Sequence, residues 1–228
     1  MMDKNLKRDI LQWDVKSWGH ALDYWEKNAS WEKLKTGLEL GGREGGLSLL
    51  LASHGIDTIC SDLKDSDQSA GPLHSKYKCS NLIRYKDIDA SNIPYENHFD
   101  VIAFKSIIGG IGRNGQKELQ QKVFSEIYKA LKPGGQLLFA ENLVASPLHN
   151  FMRKKFIKWS EYWRYVNIDE MKEFMSSFSR IDIRSCGFSA AFGRSEKQRN
   201  FLSAIDNWLL NKIIPQNWKY IAYGIAYK

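Results

Sequence analysis

Long apolar runs are missing from this chain of 228 residues: none reaches the roughly eighteen residues that a membrane-spanning helix needs. The opening stretch from Met1 to Ile10 is polar and charged where a secretory signal would be apolar, so a cytoplasmic location is expected. Cysteine is scarce. Cys60, Cys79 and Cys186 lie far apart with no paired spacing, which argues against a disulfide framework or a structural metal centre and predicts reduced structural thiols. No internal repeat or low-complexity tract is visible. Two nucleotide-loop signatures are also missing. Gly41, Gly42, Gly45 and Gly46 do not spell G-x-G-x-x-G, because Arg43 stands where the central glycine belongs, and no Gly-Lys-Ser/Thr ending follows them.

A chain of this length can bury one substantial core and is short for two full domains, so a single domain with local elaborations is the expectation. Thirty-three basic residues against twenty-six acidic ones leave a net charge of +7, a bias towards anionic partners. The densest basic clusters are Arg153, Lys154, Lys155 and Lys158, followed by Arg194, Lys197 and Arg199. Nucleic acid, an anionic lipid, a phosphorylated substrate or plain solvent could face them. Eight tryptophans are many for this length, and Trp13, Trp18, Trp25 and Trp31 crowd the N-terminus, which implies packing against a large apolar surface.

The most informative stretch is Leu38-Glu39-Leu40-Gly41-Gly42-Arg43-Glu44-Gly45-Gly46. An acidic residue and four glycines punctuate the join between a predicted strand, Leu38 to Leu40, and a predicted helix over Gly46 to Ala52. Glycine lets a ligand approach the main chain closely, so this turn predicts a cofactor cleft. A second strand, Ile56 to Asp62, ends on a carboxylate. Strand, glycine turn, helix, strand and terminal carboxylate form the first half of an open parallel sheet, with Asp62 placed to accept the hydroxyls of a ribose.

Upstream, Val15 to Lys35 reads as a helix that Ser17 can cap and that lies over the cleft instead of in the core. Asp65 to Tyr77 is turn-rich and expected to be irregular. Leu82 to Tyr85 and Phe99 to Lys105 read as strands, Gly109 to Gly112 as a flexible loop, and Glu118 to Leu131 as a helix with apolar positions every four residues. Gln136 to Ala140 is a strand that delivers Glu141 and Asn142 to the edge of the glycine turn. Ser146 to Val166 departs from α/β alternation and carries His149, Trp159, Tyr162, Trp163 and Tyr165, the candidate substrate cap. Beyond it, Ile168 to Phe178 and Phe201 to Lys212 read as helices, and Ile181 to Arg184 and Tyr220 to Ala226 as closing strands.

From Leu38 to Lys228 this order resembles the class I S-adenosylmethionine-dependent methyltransferases. Glu39 with Gly41, Gly42 and Gly45 resembles their first motif, and Asp62, followed by Leu63, their acidic ribose ligand. Asp89-Ala90-Ser91-Asn92-Ile93-Pro94-Tyr95 resembles the D-A-x-x-L-P-F stretch whose first two residues edge the adenine, with Asp87 as competitor to Asp89. Phe99-Asp100-Val101-Ile102 and Leu131-Lys132-Pro133-Gly134-Gly135 resemble F-D-V-V and L-K-P-G-G. The resemblance implies a Rossmann-like, seven-stranded, mostly parallel sheet with helices on both faces, the last strand lying antiparallel between the fifth and sixth. A helical cap over residues 1–36 would precede a domain over 37–228 with an aromatic cap insertion at about 146–167. It also implies S-adenosyl-L-methionine as cofactor, with Lys105 and Ser106 near its methionine portion.

Transfer from a sulfonium is an in-line displacement that works by orientation and exclusion of water and requires no metal or covalent enzyme intermediate. An alcohol or phenol acceptor would benefit from a base. His149, opening the cap, is the foremost candidate, and His20 follows if the N-terminal helix folds over the cleft. Glu141 could orient a substrate hydroxyl. The expected activity is methylation of a small molecule or glycan at oxygen, with a phosphorylated acceptor among the candidates. Around Glu39 to Leu49 and Asn217 to Ala226 the chain is similar to methyltransferases encoded with bacterial surface-polysaccharide enzymes. An Asn-Pro-Pro-Tyr-like motif for exocyclic amines is absent after Phe104, which disfavours adenine methylation of DNA. RNA or protein methylation, and a non-catalytic protein that binds the cofactor, stay open as alternatives. Oligomeric state is not readable.

Overall fold

A computed structural model describes residues 2–157, 160 and 162–228. At its centre lies β1 (Thr36–Leu40), paired in parallel with β2 (Asp57–Cys60) on one side and β4 (Phe99–Lys105) on the other. Adding β3 (Ile83–Tyr85), β5 (Leu131–Asn142), β6 (Arg180–Cys186) and β7 (Ile221–Tyr227) gives a seven-stranded sheet of order β3-β2-β1-β4-β5-β7-β6. Only β7 runs antiparallel, against both β5 and β6, as the resemblance implied.

The central strands are apolar because helices cover both sides of them. Along β4, Ile102 and Phe104 point to one face and Val101 and Ala103 to the other; along β5, Leu137 and Phe139 oppose Leu138 and Ala140. The first face packs on α6 (Lys117–Ala130) and α8 (Ile168–Phe174) through Phe124, Ile127, Met171 and Phe174. The second packs on α2 (Val15–Asn28) and α3 (Gly46–Ser53) through Trp18, Leu22, Trp25 and Leu50.

Several expectations change at this level. The N-terminal segment is core: Trp25 is fully buried and its indole Nε1 donates to the Gly224 carbonyl at 2.9 Å. A helix unforeseen in the sequence, α1 (Lys4–Leu11), precedes it, capped by the Asp3 carboxylate and buried through Ile10 and Leu11. Ser17 does not cap α2. Its hydroxyl is buried against Ser203 Oγ at 2.7 Å, and Glu196 takes the amides of Asp14 and Val15. The helix ends at Asn28, short of Lys35.

The stretch expected to be irregular holds α4 (Ser66–His74), whose first amide is bound by Asp87 from a distant loop at 3.1 Å. The Gly109 to Gly112 segment is not a loose loop. It contains the short α5 (Ile108–Ile111), and a Cβ at Gly109 would lie 1.7 Å from the Trp163 indole nitrogen. The cap insertion contains α7 (Pro147–Phe156); Lys158 and Trp159, also assigned to the cap, lie outside the described residues. The helix expected over Phe201 to Lys212 is α9 (Glu196–Ile205), a π-helical turn over Asp206–Leu210, and α10 (Asn211–Ile213).

Candidate active site

The glycine turn leaves β1 and is left-handed at three positions: Gly41 (φ 62°), Arg43 (φ 49°) and Gly45 (φ 75°). Two of these suit glycine without strain; Arg43 adopts the conformation that glycine would, at a cost of about 1 kcal/mol. The turn is stitched to the end of β2. Gly42 N donates to the Ser61 carbonyl at 2.8 Å, and Arg43 N donates to Asp62 Oδ2 at 3.0 Å. Leu63 N donates to the other Asp62 oxygen at 2.7 Å. The loop and the Asp62 carboxylate therefore converge at the carboxyl end of β1 and β2. Asp62 is partly exposed, and the Leu63 side chain beside it is 70% exposed.

Glu39 is buried beneath this turn. Its two oxygens accept from Leu47 N at 3.0 Å and Ser48 N at 2.7 Å, so the carboxylate caps the start of α3, where the helix dipole favours negative charge. Burial nonetheless pushes its pKa up to about 7, against the lowering effect of Ser48, Leu47 and the Lys105 charge. Gly42 lacks a side chain because a Cβ there would lie 3.1 Å from the Glu39 carboxylate and from Cys60 Sγ. Burial also raises the Cys60 thiol well above its ordinary value, consistent with an inert structural cysteine.

His74 holds the turn from below and was not foreseen from the sequence. Its Nε2 donates to the Gly45 carbonyl at 2.7 Å, which leaves Nδ1 to accept from the Tyr85 hydroxyl at 2.9 Å. Burial lowers its pKa, which keeps the ring neutral. His74 sits at the end of α4, in the segment expected to be irregular, so only the folded arrangement reveals the contact. Ile107 is a second such residue: a Cβ on Gly41 would meet its Cγ2 at 2.5 Å.

Asp89 and Asp87 separate by role. Asp87 is engaged with Asp65 N, Ser66 N and the Ser66 hydroxyl, and those bonds hold its pKa down. Asp89 is exposed and accepts from Ser91 N and Oγ, both at 2.8 Å, while Ala90 beside it is buried.

Lys105 ends β4 under the N-terminal segment. Its ammonium donates to the Leu11 carbonyl at 3.1 Å and sits 5.0 Å and 5.2 Å from the rings of Trp13 and Trp18. Burial lowers its pKa to about 8. Ser106 follows in a left-handed conformation, its hydroxyl accepting from Asn142 Nδ2 at 2.5 Å. The N-terminal segment thus supplies core on one face and touches the end of β4 as well.

The three candidate acid–base residues are all engaged with the protein. Glu141 is fully buried, accepts from Ile108 N at 2.8 Å and Asn142 N at 2.9 Å, and is raised to about 7 by burial. It caps α5. His149 is buried with both ring nitrogens used: Nε2 donates to the Phe188 carbonyl at 2.9 Å and Nδ1 accepts from Ser146 Oγ at 2.7 Å. Burial holds its pKa down to about 4. His20 is partly buried, and its Nε2 contacts Asn207 Oδ1 at 2.7 Å.

Two features of the cap carry charge. Arg164 pairs with Glu170 and donates to Gln120 Oε1 at 2.5 Å, so its guanidinium is spent on the fold. The Arg153 guanidinium lies over the Tyr165 ring, 3.9 Å from its centroid, and its Nη1 donates to the carbonyls of Leu143 and Val144 just past β5. Among the described residues it has no carboxylate partner. No group of three His, Cys, Asp or Glu side chains suited to a metal ion occurs among them either.

Comparison with known proteins agrees with this fold. Residues 38–139 match the family model described as a methyltransferase domain. No curated protein matches the sequence. Among solved structures, phosphoethanolamine N-methyltransferase 2 of Haemonchus contortus in complex with S-adenosyl-L-methionine superimposes with a TM-score of 0.63 at 18% identity, covering 92% of this chain and 52% of that one. A possible histamine N-methyltransferase from Thermotoga maritima gives 0.63 at 15%, covering 94% and 91%. An O-methyltransferase family protein from Burkholderia thailandensis gives 0.64 at 11%, covering 92% and 56%. The chain spans about half the length of the Haemonchus protein. It has the class I S-adenosylmethionine-dependent methyltransferase fold, with a methyltransferase domain matched over residues 38–139.

Proposed function

We propose that this chain transfers a methyl group from S-adenosyl-L-methionine to a small molecule or glycan, at an oxygen atom. The observation that carries the reading is the direct bond from the Arg43 amide to the Asp62 carboxylate, which joins the glycine turn and the acidic strand end into one cradle. The residues present fit the cofactor. Asp62 offers partly exposed carboxylate oxygens to a ribose diol, while Leu63 offers apolar surface and Asp89, with the buried Ala90 beside it, a polar edge to a purine. Glycine at Gly41 and Gly42 lets the turn pack tightly on Ile107, Cys60 and Glu39, and Lys105 brings a cation to the end of β4. When bound, the cofactor supplies an electrophilic methyl group on a sulfonium.

The protein's own contribution is orientation. Glu39 and His74 fix the turn, Glu141 fixes α5, and the Trp163 ring packs on Gly109 and Gly110 to close the side facing the cap. Holding two reactants in line supplies several kcal/mol without a proton-transferring side chain. The engaged states of His149 and Glu141 favour this economy over a dedicated base. In the cap, Tyr162, Trp163 and Tyr165 supply aromatic surface, and Arg153 serves as the anchor for a phosphate or other anionic group on the acceptor. On this reading a bacterial surface glycan is the favoured acceptor, from the sequence resemblance over residues 39–49 and 217–226 alone.

A transfer assay tests the reading. Protein incubated with S-adenosylmethionine labelled in its methyl group, across panels of sugar phosphates, glycans, phenols, lipids and RNA, should label a glycan or small molecule, and Asp62→Ala should abolish the signal. Labelling confined to RNA or protein would replace this assignment.

A further inference from the structure

Among the described residues ten large hydrophobic side chains are exposed, and nine of them lie between residues 148 and 218. Single exposed apolar residues scattered over a surface need no explanation, whereas such a concentration does. The nine come mainly from two elements. On α7, Leu148, Phe151 and Phe156 face outward while His149 is buried. Along α9 and the π turn, Phe201 and Trp208 are 67% and 73% exposed and stand seven residues apart, close to two helical turns. Ser203 and Asp206 mark the buried side of the same element. Ile213 and Trp218 continue the exposed series.

The two parts adjoin. His149 packs against the rings of Phe188 and Phe192, in the turn that leads to α9, and the Arg194 guanidinium lies 5.9 Å from the Phe156 ring. Among the described residues of these elements the exposed charge is predominantly basic: Lys154, Lys155, Arg194, Lys197 and Lys212 are exposed, and the part-exposed Glu196 pairs with Arg199. Lys155 reaches over both Phe151 and Phe156. The two carboxylates in these elements are committed elsewhere. Glu196 receives the Asp14 and Val15 amides, and Asp206 is buried under the amides of Phe188, Ser189 and Ala190.

We infer that the α7 and α9 surface docks on an anionic lipid bilayer. Charge complementarity selects this occupant. A second copy related by symmetry would set cation against cation, and RNA, which suits stacked rings and lysines, gains little from Leu148, Leu209 and Ile213. A membrane interface takes both parts together, with aromatic and aliphatic groups at the acyl boundary and Lys and Arg among anionic headgroups. Docking does not depend on the methyl-transfer reading.

Cosedimentation of the full chain with sucrose-loaded vesicles tests it. Equimolar phosphatidylglycerol and phosphatidylcholine should pellet the protein, and phosphatidylcholine alone should bind at least about tenfold more weakly. Phe201→Ser with Trp208→Ser, and separately Lys154→Glu with Lys155→Glu, should each lower partitioning onto the anionic vesicles by about tenfold or more. Unchanged far-ultraviolet circular dichroism would confirm that both variants fold. Failure to pellet, or equal pelleting of wild type and both variants, would overturn the proposal. So would a dimer in sedimentation velocity that Phe201→Ser with Trp208→Ser disperses, because the surface would then belong to a second copy. RNA binding lost in the Lys154 and Lys155 variant, without vesicle binding by the wild type, would likewise assign it elsewhere.

Discussion

Arg43 shows how a single side chain can depart from an expected pattern while its backbone conforms. It occupies a left-handed conformation between two glycines that do the same, and its amide still reaches Asp62. Replacing it with glycine removes the steric penalty and adds some unfolded-state entropy, so Arg43→Gly should stabilise the protein by about 0.5 kcal/mol in urea denaturation. Cofactor affinity should be retained, since the contact is made by the backbone. His149 makes the converse case. A histidine beside an aromatic cap reads as a base, yet both its nitrogens bond to protein, and its imidazole links Ser146 to the Phe188 carbonyl. His149→Ala should cost about 2 kcal/mol in stability through the broken buried hydrogen bonds and the space left behind. Titration with S-adenosylhomocysteine should leave cofactor affinity within about twofold, since His149 makes no contact with the glycine turn or Asp62; a turnover loss with stability unchanged would restore the catalytic role.

Strands and long amphipathic helices were legible because their signal is local. β4 was read at its observed bounds, Phe99–Lys105, from an uninterrupted apolar run, and α6 from apolar residues spaced by four. Several departures have determinants far away in the chain, although α1, capped locally by Asp3, escapes the sequence reading as well. α4 starts where Asp87 binds its first amide, α2 begins at Val15 as expected but is capped by the distant Glu196 instead of Ser17, and α5 is capped by Glu141 from the next strand. No window around Gly109 can reveal that Trp163 will lie against it. That contact makes a sharp prediction: Gly109→Ala places a methyl group within the indole and should destabilise the protein by about 2 kcal/mol, read from denaturant midpoints. Gly115→Ala, with a φ of 83° but nothing within 4 Å, separates backbone strain from collision and should cost about 1 kcal/mol. Equal losses at the two positions would remove the packing argument. The proposed cradle was readable because its parts are local, a glycine turn and a strand-end carboxylate, whereas its supports, His74 and Ile107, are not.

Buried ionisable groups tie the stability of the entire fold to pH. Glu39 and Glu141 are each raised from 4.5 to about 7 by burial. A carboxyl whose folded pKa lies above its unfolded one stabilises fully below the unfolded value and loses that contribution as pH rises through the folded one. Each should therefore withdraw on the order of 3 kcal/mol between about pH 4.5 and 7. His149 runs the other way: lowered from 6.5 to about 4, it stabilises above its unfolded value and loses that as pH falls through the folded one. Glu141→Gln keeps an acceptor for Ile108 N without the ionisation, so its stability relative to wild type should improve steadily across the carboxyl window. Parallel stability curves in urea at a series of pH values would contradict the assignment.

Beyond stability, the proposed activity requires the glycine turn and Asp62 to grip one nucleoside between them. Isothermal titration of S-adenosylhomocysteine into wild type and Asp62→Ala measures this most directly. Clear binding is expected for the wild type and a loss of roughly a hundredfold for the variant, the worth of charged hydrogen bonds to two ribose hydroxyls. Equal affinity in the two proteins would contradict it.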